Sequence, residues 1–240
     1  MPTPELTRDG SVVLETFVAP DRALARAGDR RRSAAALALA TAASLAFAAV
    51  AAPRLDVRLA VASRLDRDPG AAEMTPHQRE EAVVQARKIA VVGTWAGGAL
   101  APVSWALAAT LLLWMGFRVA GAAPGFRPTL AVAAHALLPV WLADLLALPA
   151  LLARGTVTPE ELGRLVPSSA AALLPARVPP QLAAAASALD VFLLWALALA
   201  VAGMARVAGT SRARSAAVVL ALFAAFVALR VFLAAPGARP

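Results

Sequence analysis

Long apolar runs separated by polar segments dominate the chain. Several of these runs reach about 20 residues, the length that crosses a hydrocarbon core of about 30 Å at 1.5 Å per residue. The pattern predicts an all-α fold, a polytopic transmembrane helical bundle of five spans with short surface helices in its loops. We place the spans at residues 33–52, 89–117, 129–152, 181–205 and 215–235.

The first span follows a polar juxtamembrane segment, residues 1–32, and residues 33–240 form the membrane domain. A short amphipathic helix is expected after Pro20 and Asp21, along the membrane surface. A signal peptide is the rival interpretation, because basic residues precede an apolar run that ends in Ala-Val-Ala-Ala. We expect a retained helix, since the run is longer than the about 7–15 residues of a signal peptide.

Local signals mark helix starts and contacts. Thr75 with Gln78, and Thr158 with Glu161, have the spacing of capping boxes. The first box predicts a helix that runs straight into the second span, and the second box predicts a short surface helix. Within the second span, Pro102 is expected to kink the helix unless neighbouring groups satisfy the freed carbonyl.

Two glycines in the second span have small-xxx-small spacing. Gly93 and Gly97 are separated by three residues, a spacing that permits close contact between membrane helices. In a sequence so rich in alanine, the same spacing arises easily by chance. The pattern therefore indicates a helix contact only weakly.

The charge distribution bears on partners and orientation. The net charge is +8, but the arginines are scattered among acidic residues, so no nucleic-acid partner is expected. Lys and Arg are equally numerous on the two predicted sides, 11 on each. Local density at residues 30–32 and 206–214 favours a cytoplasmic N-terminus. The predicted location is the inner (plasma) membrane, as a multi-pass protein.

The sequence offers little for catalysis. It has no cysteine, which excludes disulfides, zinc-thiolate sites and cysteine nucleophiles. The two histidines, His77 and His135, are far apart and do not make a metal site alone. Neither Gly-x-Ser-x-Gly nor His-Glu-x-x-His occurs. We therefore expect no enzyme activity, no cofactor and no metal.

Three ionisable residues fall inside predicted spans, namely Asp144, Asp190 and Arg230. Each lies about 15 residues from a span end on the same predicted side, at a depth of roughly 22 Å. They form a candidate intramembrane polar layer. An unpaired charge at the bilayer centre costs about 2.5–3.5 kcal/mol or more. We therefore expect Arg230 to pair with Asp190, with Asp144 or with both.

The role of this layer has several interpretations. The groups join helices, or Asp144 or His135 serves as a proton or solute site, or one group lies in a water-lined mouth. Asp144 is alternatively a neutral carboxylic acid. His135 is expected to bond a backbone carbonyl rather than to relay protons.

Three stretches carry a family resemblance. They are residues 16–27 (TFVAPDRALARA), residues 125–148 (GFRPTLAVAAHALLPVWLADLLAL), and Leu-Asp-x-Phe-x-x-Trp at residues 189–195, followed by Gly203 and the short basic loop at residues 211–216. In this order they resemble the Yip1 family of five-span membrane proteins, specifically its bacterial branch. His135 departs from the aromatic residue expected at that position.

The resemblance implies a cytoplasmic N-terminus and supplies no catalytic residue. Eukaryotic members of the family are associated with vesicle trafficking and small GTPases, machinery that bacteria lack. Our leading hypothesis is a non-enzymatic membrane adaptor or organiser. Its partners are the lipid bilayer and an unknown membrane protein, or further copies of itself. The alternative is a small solute or ion permease that uses the intramembrane Asp and Arg layer, although no inverted repeat is visible.

Overall fold

A computed structural model describes residues 30–66, 74–175 and 178–235. These residues form helices, connecting turns and two isolated β-bridges. The predicted all-α fold is confirmed. The amphipathic helix predicted before the first span lies outside the described residues.

Nine α-helices are present in the described part of the chain. In chain order they are α1 (Arg30–Ala51), α2 (Arg58–Leu65), α3 (Pro76–Val119), α4 (Phe126–Ala136), α5 (Leu138–Leu152), α6 (Pro159–Leu162), α7 (Pro180–Ala188), α8 (Val191–Val207) and α9 (Arg212–Leu233). Two 3₁₀ turns lie at Ala52–Arg54 and Ala170–Leu173.

Membrane-spanning length separates these helices into two groups. Within the described residues, four helical segments are long and apolar enough to cross a bilayer: Ser33–Arg54, Pro76–Val119, Phe126–Leu152 and Arg212–Leu233. The apolar helix α8 has 17 residues and a length of about 26 Å, at the short end of what crosses a hydrocarbon core. The count of five spans stays a prediction.

Two predicted spans are interrupted. The fourth, predicted as one helix over residues 181–205, is divided into α7 and α8 at Leu189 and Asp190. The third is divided into α4 and α5 at Leu137. The break in the third span precedes Pro139. Proline has no N–H to donate to the carbonyl of His135, so one hydrogen bond of the helix is missing there.

Both predicted capping boxes are present. The Gln78 backbone N–H donates to Thr75 Oγ1 at 3.3 Å, and the Thr75 N–H donates to Gln78 Oε1 at 2.8 Å. As predicted, the helix continues into the second span. Pro102 lies inside α3, and the kink expected there stays a prediction. At the second box, the Thr158 backbone N–H donates a hydrogen bond to the Glu161 carboxylate. This bond is the main cause of the lowered pKa of Glu161.

The chain divides into two compact units. Within the described residues, the first comprises residues 30–40, Pro102–Leu142, 167–175 and 178–235. Its core lies where α8 packs against α4 and α9, and it buries Phe117, Val132 and Met204. No side chain stands at Gly203, and a Cβ built there would lie 2.6 Å from Val132 Cγ1. Glycine is therefore required for the observed approach of α8 to α4.

The second unit comprises Thr41–Ala101 and Ala143–Val166. Its core buries Ala51, Leu151 and Val157. A Cβ at Gly98 would lie 3.0 Å from Ala48 Cβ, whereas nothing lies within 4 Å of one at Gly93 or Gly97. The close helix contact within this unit therefore falls on Gly98, one residue after the small-xxx-small pair Gly93 and Gly97.

We predict that Gly203→Ala lowers the stability of the protein. The added methyl overlaps Val132, whose β-branched side chain has few rotamers with which to move aside, and overpacking costs about 1–3 kcal/mol. The measurement is the thermal unfolding midpoint of the purified protein in detergent. Val132→Ala in the same chain should recover part of the loss, because it removes the methyl groups that overlap.

The matched control is Gly97→Ala, the same change at an open position of α3. It should be neutral or stabilising by up to about 1 kcal/mol, because Ala favours helix over Gly. An equal loss of stability in both glycine variants would contradict the packing account.

Candidate functional site

The break between α7 and α8 is the most irregular feature of the predicted spans. Leu189 ends α7 with φ −86° and ψ 67°, and Asp190 is extended with φ −105° and ψ 135°. The Ala170 N–H donates to the Leu189 carbonyl, and the Val191 N–H donates to the Ser168 carbonyl, each at 3.0 Å. A returning segment therefore pairs with the backbone groups that the break frees.

Asp190 is the N-cap of α8. One carboxylate oxygen accepts from the Phe192 N–H at 2.9 Å and from the Leu193 N–H at 3.1 Å. The Ser168 hydroxyl donates to the other oxygen. The first N–H groups of a helix have no intrahelical partner, and the helix dipole favours an anion at this end. The carboxylate therefore satisfies α8 and joins it to the preceding connection.

Within its own unit, Arg230 contacts a serine and not the predicted carboxylate of Asp190. Its guanidinium donates to Ser187 Oγ at 3.2 Å, and its Cζ lies 5.7 Å from the centroid of the Phe226 ring. Over residues 30–66, 74–175 and 178–235, no ion pair joins Arg230 to Asp190. Asp190 faces the N–H groups of its own helix, and Arg230 instead binds α9 to α7.

Asp144 lies on α5 in the second unit. Its carboxylate forms a hydrogen bond with the Ser44 side chain on α1, and Ser44 is buried. This contact joins α1 and α5 within that unit. Each of the three predicted polar residues therefore has a serine as its partner.

The serines are the site residues that the sequence interpretation missed. Ser44 interrupts the apolar run of the first span, and Ser187 lies three residues before Asp190. A hydroxyl within an apolar run was the available signal. Ser168, 22 residues upstream of Asp190, had no such signal, because only the fold brings it to the helix break.

His135 is fully buried on α4. Its Nδ1 lies 2.8 Å from the carbonyl oxygen of Ala131, one turn earlier on the same helix. The expected bond to a backbone carbonyl is confirmed. Where the structure describes the chain, no three His, Cys, Asp or Glu residues are grouped so as to hold a metal ion.

Outside the apolar runs, the first turns of α3 form a polar extension, which we define as residues 76–88. Glu80 pairs with Arg58 at 3.4 Å, and His77 lies 3.4 Å from Glu81 on the same helix. These side chains are exposed. Exposed pairs contribute at most about 1 kcal/mol each, so they leave a charged surface rather than a rigid site.

We predict that Asp190→Ala destabilises the protein and that Asp190→Asn does so much less. Alanine removes the cap, a loss of about 0.5–2 kcal/mol, and also leaves the Ser168 hydroxyl without its acceptor. The Asn side-chain oxygen still accepts from the two amides. The measurement is the thermal unfolding midpoint in detergent.

Arg230→Gln distinguishes a role of Asp190 as the N-cap of α8 from a role in an ion pair with Arg230. Because Arg230 and Asp190 have different partners, the effects of Asp190→Asn and Arg230→Gln should add to within about 0.5 kcal/mol. A larger coupling energy, or equal losses in the Ala and Asn variants, would contradict the capping role and support a direct pair.

The comparisons with known proteins agree with the helical pattern. The model of the Yip1 domain matches residues 14–234, a range that contains the three stretches on which the sequence resemblance rests. Comparisons with curated proteins and with solved structures return no match. With 221 of its 240 residues inside that match, the chain belongs to the Yip1 domain family.

Proposed function

We propose that this member of the Yip1 family is a non-enzymatic membrane adaptor or organiser. Its partners would be the lipid bilayer and an unidentified membrane protein, or further copies of itself. The observation that carries the proposal is the pairing of Asp144, Asp190 and Arg230 with serines of the same chain. Polar groups used in this way hold helices together.

These contacts favour interhelical attachment over solute binding. Arg230 joins α9 to α7 through Ser187, and Asp144 joins α5 to α1 through Ser44. Side-chain hydrogen bonds between membrane helices contribute about 0.6–2 kcal/mol each. A solute would have to replace such bonds, whereas a scaffold keeps them. The proposed polar layer thus serves the stability of the bundle.

The polar extension of α3 is the surface that we assign to partner contacts. It continues the second span for 13 residues, a length of about 20 Å. Its charges are exposed, and Glu81 lies on it next to His77. Complementary charges on a partner would orient the encounter and set its specificity.

A permease is the second candidate, and the break at Leu189 and Asp190 favours it. Transporters use interrupted helices, whose N-terminal ends face substrate groups. In this alternative Asp144, Asp190 and Arg230 would bind the solute or the coupling ion. The cap weighs against it, because the Asp190 carboxylate already accepts from two amides and a hydroxyl.

Orientation is part of the proposal. We assign the protein to the inner (plasma) membrane with a cytoplasmic N-terminus, which places the polar extension on the opposite side. Because the chain has no cysteine, single cysteines report the side directly. We predict that an impermeant maleimide labels Gln85→Cys in intact cells and labels Arg206→Cys only after lysis. The reverse labelling pattern would contradict the assignment.

We predict that a stoichiometric protein partner is retained when the tagged chain is purified from native membranes. The purification uses mild detergent and native expression, and mass spectrometry identifies the retained protein. Glu81→Lys should lower the retained amount severalfold, because it reverses a charge on the polar extension.

Asp66→Lys is the matched control, since it makes the same charge change at an exposed position outside α3. It should leave the partner in place. A homo-oligomer without a partner, together with solute counter-flow in proteoliposomes that Asp144→Asn abolishes, would contradict the adaptor and support the permease.

A further inference from the structure

A groove of about 670 Å³ lies between α1 and α3 within the second unit. One wall is a stripe of α3 made of Val84, Arg87, Lys88, Val91 and Trp95. Their spacing of three and four residues places all five on one helix face. The other wall, at the end of α1 and in the turn after it, consists of Ala49, Ala52 and Pro53. Large side chains face small ones, and the space between them stays open.

The groove is closed at one end and charged at the other. One turn beyond Trp95, Gly98 lies against Ala48 and the Ser44 carbonyl, at the close contact of α1 and α3. Arg87 and Lys88 lie at the opposite end, where the apolar run of α3 begins. The groove therefore passes from two cations to an apolar, tryptophan-lined floor over about 12 Å of helix.

The acidic side chains near the charged end are engaged elsewhere. Glu80 pairs with Arg58, Glu81 lies next to His77, and the Asp56 carboxylate accepts from the Arg58 N–H. Arg87 reaches the Pro53 carbonyl only at 3.5 Å. Among the residues described, neither Arg87 nor Lys88 forms an ion pair. Two exposed positive charges are therefore available at the mouth.

The depth of the groove matches the boundary between headgroups and hydrocarbon. Arg87 and Lys88 immediately precede the second predicted span, where basic side chains contact lipid phosphates. Trp95 has the polar and apolar character of interfacial aromatics. Beside the groove, Ile89 and Val92 are 63% and 67% exposed, as expected for side chains that contact acyl chains.

We propose that this groove binds one anionic phospholipid. The headgroup phosphate contacts Arg87 and Lys88, and an acyl chain lies along Ala49, Val91 and Trp95. A free phosphate would use the cations and leave the apolar floor unfilled, so the shape and charge together select a lipid. The volume lies within the range of about 300–1,000 Å³ typical of small-molecule sites. This site does not depend on the adaptor proposal.

Lys88 is the only lysine in the chain and reports the occupancy of the groove. The experiment places full-length Arg206→Lys protein in nanodiscs of phosphatidylglycerol or of phosphatidylcholine. The rates at which an amine reagent modifies Lys88 and the introduced lysine are then compared within the same molecule. A bound anionic lipid should slow the modification of Lys88 alone in phosphatidylglycerol, by about 25-fold, because two basic contacts contribute about fivefold each.

Charge variants test the cause. Arg87→Gln, added to the Arg206→Lys chain, removes one of the two basic contacts and should lower the protection of Lys88 in phosphatidylglycerol by about fivefold. Arg127→Gln removes the same charge at an exposed position of α4 and should leave the protection intact. Size-exclusion elution at the unmodified position shows that each variant is folded.

Three results would overturn the proposal. Equal slowing of both lysines in phosphatidylglycerol would assign the effect to surface potential alone. Equal protection of Lys88 in both lipids would show that its protection does not require an anionic lipid. Full protection in Arg87→Gln would remove the charge contact on which the site rests. None of these results depends on whether a protein partner is captured.

Discussion

Backbone N–H and C=O groups inside an apolar run must find partners within the protein, because each one left unsatisfied in hydrocarbon costs several kcal/mol. The break between α7 and α8 frees such groups, and the structure pairs them in two ways. The segment around Ser168 supplies an extended pairing partner, and Asp190 accepts from the first amides of α8. The Asp190 carboxylate, for which the sequence predicted a cationic partner, is thereby the N-cap of α8. Its hydrogen bonds stabilise the interrupted helix.

The other two polar residues that are predicted to lie inside spans also have partners within the protein. Arg230 and Asp144 each contact a serine on another helix. Helices also approach each other closely at Gly203 in the first unit and at Gly98 in the second unit. Exposed charged side chains lie on the polar extension of α3, before the apolar run of that helix. Two of them, Arg87 and Lys88, line the proposed lipid groove. The Yip1 domain match covers both the break and the groove.

Local signals made much of the fold predictable from the sequence. The capping boxes at Thr75 and Thr158, the helix that runs from the first of them into the second span, and the carbonyl bond of His135 all depend on residues within one turn. The break at Leu189 was not predicted, because apolar residues flank it and its partner, Ser168, lies 22 residues away. The groove was also not predicted, because it depends on the tertiary contact of α1 with α3 at Gly98.

Hydrogen–deuterium exchange of the Phe192 and Leu193 amides in nanodiscs tests the central claim most directly. The first amides of a helix exchange readily when they have no partner. The account predicts slow exchange at both positions in the native chain and fast exchange in Asp190→Ala, with the amides in the middle of α8 unchanged. Fast exchange in the native chain would show that Asp190 does not cap the helix and that water reaches the break, as a solute path requires.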